Sequence, residues 1–307
     1  MTTIDMSNAV VRAAQANDVE AATDVYLVSL EDLKRRHGAP ITPMDRDDWL
    51  RGYAHVLNTG IFNVIELDGK VVGLANGVLR DDLWFLSGFW MLPGYQGQGL
   101  GRQVLDKTFA EAAERGAKRY FVWASIDLPA VANYMRLSML PGYQIFTVRV
   151  PLDSAARPRT EAASLEQYLL SPLEPQAAAE IDSDIRGVGR IEDHIYWSKD
   201  PGRQGWLVRR HGQTVGYFYQ RQGQVGALAY LDKGDEGAMI DLALAQSAKC
   251  EAAQASGAVT VMAPGINSSA LSSLLSRGAR FTSHSHFLTS APFGRLENYL
   301  PSGPHLY

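Results

Sequence analysis

Residues 96–102 carry three glycines at alternate positions, which is the composition of a backbone turn that can hold an anion. An apolar run at 84–92 precedes this turn, and apolar residues recur at helical spacing over 104–112. Consecutive N–H groups can therefore converge at the start of a helix, where the helix dipole adds about half a positive charge. The pattern predicts a strand-to-helix turn that binds a diphosphate ester. Its predicted contacts are Gln96, Gly97, Gln98, Gly99, Leu100, Gly101 and Arg102.

The order of these glycines excludes two common nucleotide-binding turns. It lacks the G-x-G-x-x-G order of a dinucleotide fold, and no Gly-Lys-Ser/Thr follows as in a P-loop. The turn instead resembles the acyl-CoA loop of the GNAT acyltransferase superfamily, Q/R-x-x-G-x-G/A, with matches at Gln96, Gly99 and Gly101. The preceding Pro93 and Tyr95 are also usual in that family.

A second stretch, residues 127–139, resembles the N-x-x-A-x-x-L-Y-x-x-L-G-F pattern of the same superfamily, with matches at Ala130, Tyr134 and Leu137. The departures are Asp127 for Asn, Asn133 for Leu, Ser138 for Gly and Met139 for Phe. The resemblance implies that Tyr134 lies beside the CoA sulfur and protonates the departing thiolate. It also implies that Asp127 stands at a position used to contact the pantetheine arm.

The resemblance further implies the type of reaction. The amine of a small-molecule or peptide acceptor would attack the acetyl thioester of acetyl-CoA directly, in a ternary complex. The backbone of residues 89–92 would pair with the pantetheine amides as an extra strand, so Met91 and Leu92 are expected cofactor contacts, and an N–H near Met91 would polarise the thioester carbonyl. The general base stays open among several carboxylates, which are Asp81, Asp82, Glu66, Asp45, Asp47 and Asp48.

The composition indicates an intracellular globular enzyme. The chain has 307 residues, 46% of them hydrophobic, and a formal net charge of -4. Mild acidity without a Lys/Arg stripe argues against nucleic acid as a partner. No apolar run is long enough to cross a membrane, and residues 1–9 lack the features of an export signal. The single cysteine, Cys250, excludes an intrachain disulfide, and we expect a cytoplasmic protein.

No metal site is predicted. His284 and His286 lie two residues apart on an expected strand, but the sequence offers no evident third ligand. The resemblance implies acetyl-CoA as the cofactor, in the role of co-substrate. The sequence leaves a homodimer open.

The chain carries an internal repeat. Residues 64–73 and 207–216 both predict two strands joined by a glycine turn, and residues 267–281 resemble the Tyr134 helix and its ending. The second repeat lacks the glycine loop and carries acidic residues in the equivalent stretch, 231–238, where they would oppose a diphosphate. The sequence therefore predicts that the second repeat keeps the scaffold and has lost the acyl-CoA site.

The predicted fold class is mixed α/β, with two tandem GNAT-like domains that each have a central mixed β-sheet flanked by helices. A catalytic domain is expected over 1–152, with 143–150 as its closing strand. A linker follows at 153–164, and a degenerate domain at 165–307. Two alternatives stay open: a tandem acetyltransferase of the mycothiol synthase type, which keeps its active unit C-terminally, and a non-catalytic acyl-CoA-binding regulatory module.

Overall fold

A computed structural model describes residues 7–41 and 44–307. Residues 1–6, most of the stretch whose composition argues against an export signal, lie outside this range. Contacts divide the chain into two units. Unit 1 comprises the described residues of Met1–Val122 with Asp127–Met139, and unit 2 comprises Trp123–Ile126 with Leu140–Tyr307. Helices and sheet strands occur in both units, so the mixed α/β fold class is confirmed.

Unit 1 is built from five strands and four helices, all within the described residues. The strands are β1 (Val10–Ala13), β2 (Ile61–Leu67), β3 (Lys70–Arg80), β4 (Leu83–Met91) and β5 (Arg119–Ala124), and the helices are α1 (Asp18–Arg36), α2 (Arg46–Thr59), α3 (Leu100–Glu114) and α4 (Leu128–Arg136). Strands β1 to β4 pair antiparallel in sequence order, and β5 pairs parallel with β4. The last two residues of β5 group with unit 2.

Helices cover both faces of the unit 1 sheet. Successive side chains of a strand point to opposite faces. On β4, the Trp90 ring packs edge-on against Tyr26 of α1, whereas the neighbouring Phe89 and Met91 face Gly101 of α3. The central strands are therefore apolar on both sides, which explains why they read as continuous hydrophobic runs in the sequence.

After one additional strand and two four-residue helices, unit 2 repeats the element order of unit 1, with one extra short helix before the strand that corresponds to β5 and two further strands at the end. Its strands are β6 (Leu140–Pro151), β7 (Tyr168–Pro172), β8 (Arg203–Arg210), β9 (Gln213–Arg221), β10 (Gln224–Tyr230), β11 (Ala258–Pro264), β12 (Arg280–Thr289) and β13 (Tyr299–Leu300). Its helices are α5 (Leu152–Ala155), α6 (Ala162–Leu165), α7 (Pro175–Arg186), α8 (Ile191–Ser198), α9 (Glu236–Ala248), α10 (Glu251–Ser256) and α11 (Ser268–Ser276). The strand order is β12-β6-β11-β10-β9-β8-β7, and β13 pairs with β10.

The two hairpins that suggested the repeat share a detailed geometry. In β2–β3 the turn is formed by Asp68 and Gly69, and in β8–β9 by His211 and Gly212, all four with positive φ. Two residues with positive φ match the right-handed twist of the flanking strands. Each hairpin also has a register shift at the same distance before its turn, after Ile65 and after Val208. A shared irregularity of this kind supports a duplicated unit.

Strand β6 makes its contacts in unit 2. The sequence assigned 143–150 to the first domain as its closing strand, but β6 pairs antiparallel with β11 on one side and β12 on the other. The alternating pattern predicts a strand correctly, yet carries no information on which strands will be its neighbours. The expected linker, 153–164, also packs on unit 2, since the N–H groups of Arg159 and Thr160 both donate to Asp241 Oδ2, at 3.0 and 2.8 Å. The division into a catalytic and a degenerate domain stays a prediction.

The core of unit 2 contains a buried polar network centred on Asp182 of α7. Its carboxylate accepts hydrogen bonds from Tyr217 Oη at 2.6 Å and from His194 Nε2 at 2.9 Å, and it pairs with the fully buried Arg190. Burial alone would raise the pKa of Asp182, but Arg190, His194 and Arg186 together outweigh burial and hold that pKa below the ordinary value. The network therefore stabilises the charged carboxylate inside the core.

Candidate active site

The second half of β4 has an edge that β5 does not use. Parallel pairing with β5 ends at Leu86, whereas β4 continues to Met91. The N–H of the next residue, Leu92, donates to Val72 O at 2.9 Å. Because backbone groups alternate along an antiparallel strand, the N–H and C=O of Met91 and Phe89 point away from β3, toward that edge. An extended molecule carrying amide groups can pair with β4 there.

The carbonyl of Met91 is fixed by two side chains. Ser29 Oγ of α1 donates to it at 2.9 Å, and Gln96 Nε2 donates to it at 3.0 Å. Gln96 therefore ties the glycine loop back to the end of β4. The carbonyl of Met91 is thus engaged within the chain. Its N–H also points away from β3, and this is the backbone group of Met91 that can bind a ligand.

Two glycines of the loop are required by backbone conformation. Gly97 and Gly99 have φ values of 76° and 87°, and a Cβ added at either would meet nothing within 4 Å. Gly99 is the N-cap of α3, and Gln103 N–H donates to its carbonyl at 3.2 Å. The N–H groups of the first helical turn have no acceptor within the helix. They can bind an anion beside the exposed loop.

Glycine at position 101 has a different reason. Its φ is not positive, and what favours a small residue there is close packing against β4. A Cβ at this position would lie 3.2 Å from Phe89 Cζ and 3.5 Å from Met91 Cγ. Contacts this short force the neighbouring ring to move. The missing side chain lets the first turn of α3 lie directly on the part of β4 that β5 leaves unpaired.

Leu92 and Leu100, two predicted contacts, are engaged in the fold. The carbonyl of Leu92 accepts from Tyr95 N–H at 3.1 Å, while its N–H is used by Val72 as described above. Its backbone is thus already paired, and only its side chain can contact a cofactor. Leu100 is buried and anchors α3, which leaves its N–H as its contribution to the turn.

Gln98 and Arg102, the polar side chains predicted to contact a cofactor, lie at the surface. Gln98 Nε2 donates to Gly94 O at 3.3 Å, which braces the loop. Arg102 forms an exposed pair with Asp106, with Nε and Oδ2 at 3.4 Å. An exposed pair of this kind contributes little to stability, so Arg102 can rearrange toward a phosphate at small cost.

Tyr134 packs beside β4. It is 5% exposed, and its ring lies edge-on to Phe89 with centroids 6.1 Å apart. Within the described part of the chain no hydrogen bond reaches its hydroxyl. Burial raises the pKa of Tyr134 well above its ordinary value, and the negative charge of Asp127 raises it further. The phenol therefore stays protonated and keeps a proton that it can donate.

Asp127 begins α4 as its N-cap residue, but its side chain does not cap the helix. Asp127 Oδ2 lies 3.9 Å from Arg36 Nη2 of α1, and Arg36 Nε donates to Asp32 at 2.9 Å. The Asp127 carboxylate, which stands where the motif has Asn, thus faces the Arg36 guanidinium and does not cap α4.

Among the carboxylates considered as general bases, Asp82, Glu66 and Asp45 have structural contacts. Asp82 is held by Arg119, which keeps the pKa of Asp82 below its ordinary value. Glu66 accepts from Arg12 Nε at 2.8 Å, and Asp45 accepts from an N–H in the first turn of α2 at 3.0 Å. These geometries explain the carboxylates as ion pairs and a cap, and they single out none as a base.

An aromatic cluster between α1, α2 and β4 escaped the sequence prediction. The rings of Tyr26 and Trp49 have centroids 3.9 Å apart, and the ring centroids of Tyr26 and Trp90 are 5.0 Å apart.

Ser29 is a second site residue that the sequence did not predict. One observation indicates its importance: Ser29 lies one helical turn from both Val25 and Leu33 on the apolar face of α1, where a buried polar side chain needs a hydrogen-bond partner.

Across residues 7–41 and 44–307, no three His, Cys, Asp or Glu side chains come together as a metal site. The rings of His284 and His286 have centroids 6.1 Å apart. No helix in the same described ranges combines the length and apolar character needed to cross a membrane.

Residues 25–139 match the sequence profile of the Acetyltransferase (GNAT) family. This region covers the β4 edge, the glycine loop and Tyr134. An uncharacterized N-acetyltransferase of Mycobacterium tuberculosis is 39% identical over 61 residues, and a Mycobacterium bovis counterpart matches equally. The match covers 20% of this chain and 38% of each relative, so the chain spans well under half the length of these relatives.

Solved structures extend the similarity in fold to the whole chain. A protein of Pyrococcus horikoshii described as a candidate acetyltransferase has a TM-score of 0.74 at 15% identity, covering 100% of this chain and 99% of its own. A tandem GNAT protein from the clavulanic acid biosynthesis pathway has a TM-score of 0.59 at 15% identity, covering 92% and 99%. The predicted tandem GNAT-like architecture is confirmed.

Proposed function

We propose that the protein transfers an acetyl group from acetyl-CoA to the amine of a small-molecule acceptor, as the match of residues 25–139 to the Acetyltransferase (GNAT) family suggests. One observation carries the proposal: the edge of β4 beyond Leu86 leads directly into a glycine turn at the start of α3. A strand edge suits the amides of pantetheine, and a helix start suits a diphosphate. The two groups occur in that order along acetyl-CoA.

The residues present fit this co-substrate. The N–H groups of Phe89 and Met91 would pair with the pantetheine arm, and those of residues 97–102 would hold the diphosphate. A Cβ at Gly101 would lie 3.2 Å from Phe89 Cζ, so this position accommodates at most a small side chain without displacing the Phe89 ring. The side chains of Gln96 and Gln98 brace the loop through Met91 O and Gly94 O.

Acetyl-CoA supplies the activated acetyl group when bound. The chain would then stabilise the charge that develops on the thioester oxygen through a backbone N–H of the β4 edge near Met91. Tyr134 would give its proton to the departing thiolate. A thiol has an ordinary pKa of about 8.5, so the departing thiolate takes up a proton at neutral pH, and a neutral phenol beside it would supply that proton and regain one from solvent. The amine would attack directly in a ternary complex.

The acceptor would meet the aromatic cluster of Tyr26, Trp49 and Trp90. Trp90 directly precedes Met91 on β4, and its ring lies on the α1 face of the sheet. Aromatic rings contact apolar groups and bind cations over their faces, so an amine with an apolar body suits this surface.

The single cysteine, Cys250, fits a reducing compartment, and a cytoplasmic location is part of this proposal.

The test is turnover by the full chain. Release of free CoA thiol from acetyl-CoA is measured against a panel of primary amines with apolar, aromatic and peptide bodies. The proposal expects thiol release that requires the amine and an acetylated amine in equal amount. Tight binding of acetyl-CoA without turnover on any amine would instead support the non-catalytic binding module.

A further inference from the structure

Strand β10 in unit 2 occupies the same place in the element order as β4 in unit 1. It pairs antiparallel with the preceding β9, and its parallel pairing with β11 involves Gln224↔Thr260 and Val225↔Val261. A bulge follows, with Ala227 at a positive φ. Beyond the bulge, β10 leaves β11 just as β4 leaves β5 beyond Leu86.

In unit 2 the chain itself takes the edge that results. Strand β13 pairs antiparallel with β10 through Leu228↔Leu300 and Ala229↔Tyr299. Residues 296–302, which we term the β13 segment, thus lie as an added strand on the edge that unit 1 leaves to a ligand. A peptide in an extended conformation presents amide groups at regular spacing, as a pantetheine arm does, so one can replace the other.

Side chains fasten the β13 segment at both ends. Gln224 Nε2 donates to Ser302 O at 2.9 Å, and Asn298 Nδ2 donates to Tyr230 O at 3.2 Å. Tyr299 and Leu300 are 0% and 1% exposed. Burial of two large side chains contributes several kcal/mol in proteins generally, so an extended segment held in this way is part of the folded core.

The anion position at the helix start is taken as well. Helix α9 corresponds to α3, and the Glu236 carboxylate in its first turn accepts from Lys233 Nζ at 2.8 Å, from Ser269 Oγ at 3.0 Å and from Tyr230 Oη. Tyr230 Oη also lies 2.9 Å from the carbonyl oxygen of Glu297 in the β13 segment. A built-in carboxylate with satisfied hydrogen bonds repels a diphosphate.

We propose that the β13 segment occupies in unit 2 the position that the pantetheine arm of acetyl-CoA takes in unit 1, so that each chain binds a single acyl-CoA. The unit 1 half of this statement rests on the proposed function. The unit 2 half rests on the pairing of β13 with β10 alone. In unit 2 the β10 edge is covered by β13, a strand of the same chain. The stretch that corresponds to the glycine loop has also lost the glycine motif.

The first experiment is equilibrium dialysis of radiolabelled acetyl-CoA against the full chain. We expect one molecule bound per chain at saturation, none in Gly101→Glu, and one in Ala110→Glu, which adds the same charge at an exposed position of α3. Two molecules bound by the native chain, or one retained by Gly101→Glu, would overturn the proposal while leaving the acyl-CoA function intact. No binding by the native chain would reject the proposed function.

The second experiment does not depend on binding. Hydrogen exchange of the full chain is followed in peptides that contain residues 228–229 and 299–300. We expect both to exchange at least about 1000-fold more slowly than unstructured peptides, with and without acetyl-CoA, because they share one cooperative sheet. Residues 88–91 should gain protection when acetyl-CoA is added. Rapid exchange at 299–300, or a change in the exchange rate there on adding acetyl-CoA, contradicts the proposal that β13 permanently covers the β10 edge.

Discussion

Ser29 Oγ donates to Met91 O at 2.9 Å, and this bond joins helix α1 to the last residue of β4. Both residues are buried, and Gln96 of the glycine loop donates to the same carbonyl. One backbone oxygen thus sets the relative position of α1, β4 and the loop. The N–H of Met91, which shares a residue with that oxygen, is held in the orientation that the proposed reaction needs.

Ser29→Ala should weaken this arrangement without unfolding the protein. Loss of one buried hydrogen bond costs about 1 kcal/mol, since Gln96 still satisfies the carbonyl. A small displacement of Met91 should lower kcat about tenfold. Urea unfolding and steady-state kinetics measure the two effects. The control is Thr23→Val, which removes another buried hydroxyl of α1, one bonded within the helix to Val19 O. Equal kinetics for both variants would remove Ser29 from the site.

Tyr134→Phe should keep acetyl-CoA affinity and lower turnover by about 100-fold or more if the phenol is the proton donor. Stability should change little, because within the described residues no hydrogen bond reaches this hydroxyl. Since burial raises the pKa of Tyr134, its proton stays in place through neutral and mildly alkaline pH, and kcat should show no fall up to about pH 9. Tyr120→Phe, which removes a hydroxyl bonded to Ala117 O, is the control. Full activity of Tyr134→Phe rejects its catalytic role.

Asp182→Asn should destabilise unit 2 strongly. It removes the carboxylate that pairs with the buried Arg190, and breaking a buried ion pair from one side costs about 3–5 kcal/mol. Asp184→Asn, on the exposed face of the same helix, should cost less than about 0.5 kcal/mol. Chemical unfolding of the full chain compares the two. Similar midpoints for both variants would mean that the network around Asp182 does not contribute to stability.

His194 should make the protein less stable as the pH falls below about 6.5. Burial lowers the pKa of His194, against the opposite effect of Asp182, so the folded protein favours a neutral ring. A neutral ring can donate from Nε2 to Asp182 and accept at Nδ1 from Tyr219 Oη, at 2.9 Å each. The unfolded state then binds more protons below the ordinary pKa, and stability is lost as the pH drops.

Thermal unfolding between pH 7.5 and 5 measures this effect. The pKa of Asp182 lies below its ordinary value of 3.8, so Asp182 stays charged throughout that range and does not confuse the result. His194→Gln should show a smaller fall in Tm than the native chain over the same range. An identical fall in both would assign the pH dependence to other groups.

The sequence predicted local structure better than long-range pairing. The glycine turn lies at the start of α3, as its pattern predicts, and Tyr134 lies on α4 beside Phe89 of β4, whereas the roles of both in binding and catalysis stay predictions. The neighbours of β6 and the presence of β13 on β10 were not predictable in the same way, because hydrophobic alternation identifies a strand without naming its partner. A two-residue strand such as β13 offers almost no pattern at all.

Ser29 and the aromatic cluster show the same limit at the level of side chains. A buried serine on the apolar face of α1 signals that it has a partner, but that partner is a carbonyl 62 residues away. Trp49 and Tyr53 are one turn apart on α2, and only the fold brings Trp90 into the same cluster through Tyr26. Side chains from separate elements meet only when the sheet is assembled.

The central claim is that the β4 edge and glycine turn of unit 1 bind acetyl-CoA. Calorimetric titration of acetyl-CoA into the full chain tests it most directly, with Gly101→Glu and Ala110→Glu measured in parallel. We predict binding by the native chain and by Ala110→Glu, and a loss of at least about 100-fold in affinity for Gly101→Glu, through its collision with Phe89 and its added charge. Native affinity in Gly101→Glu, or no binding by the native chain, would contradict the account.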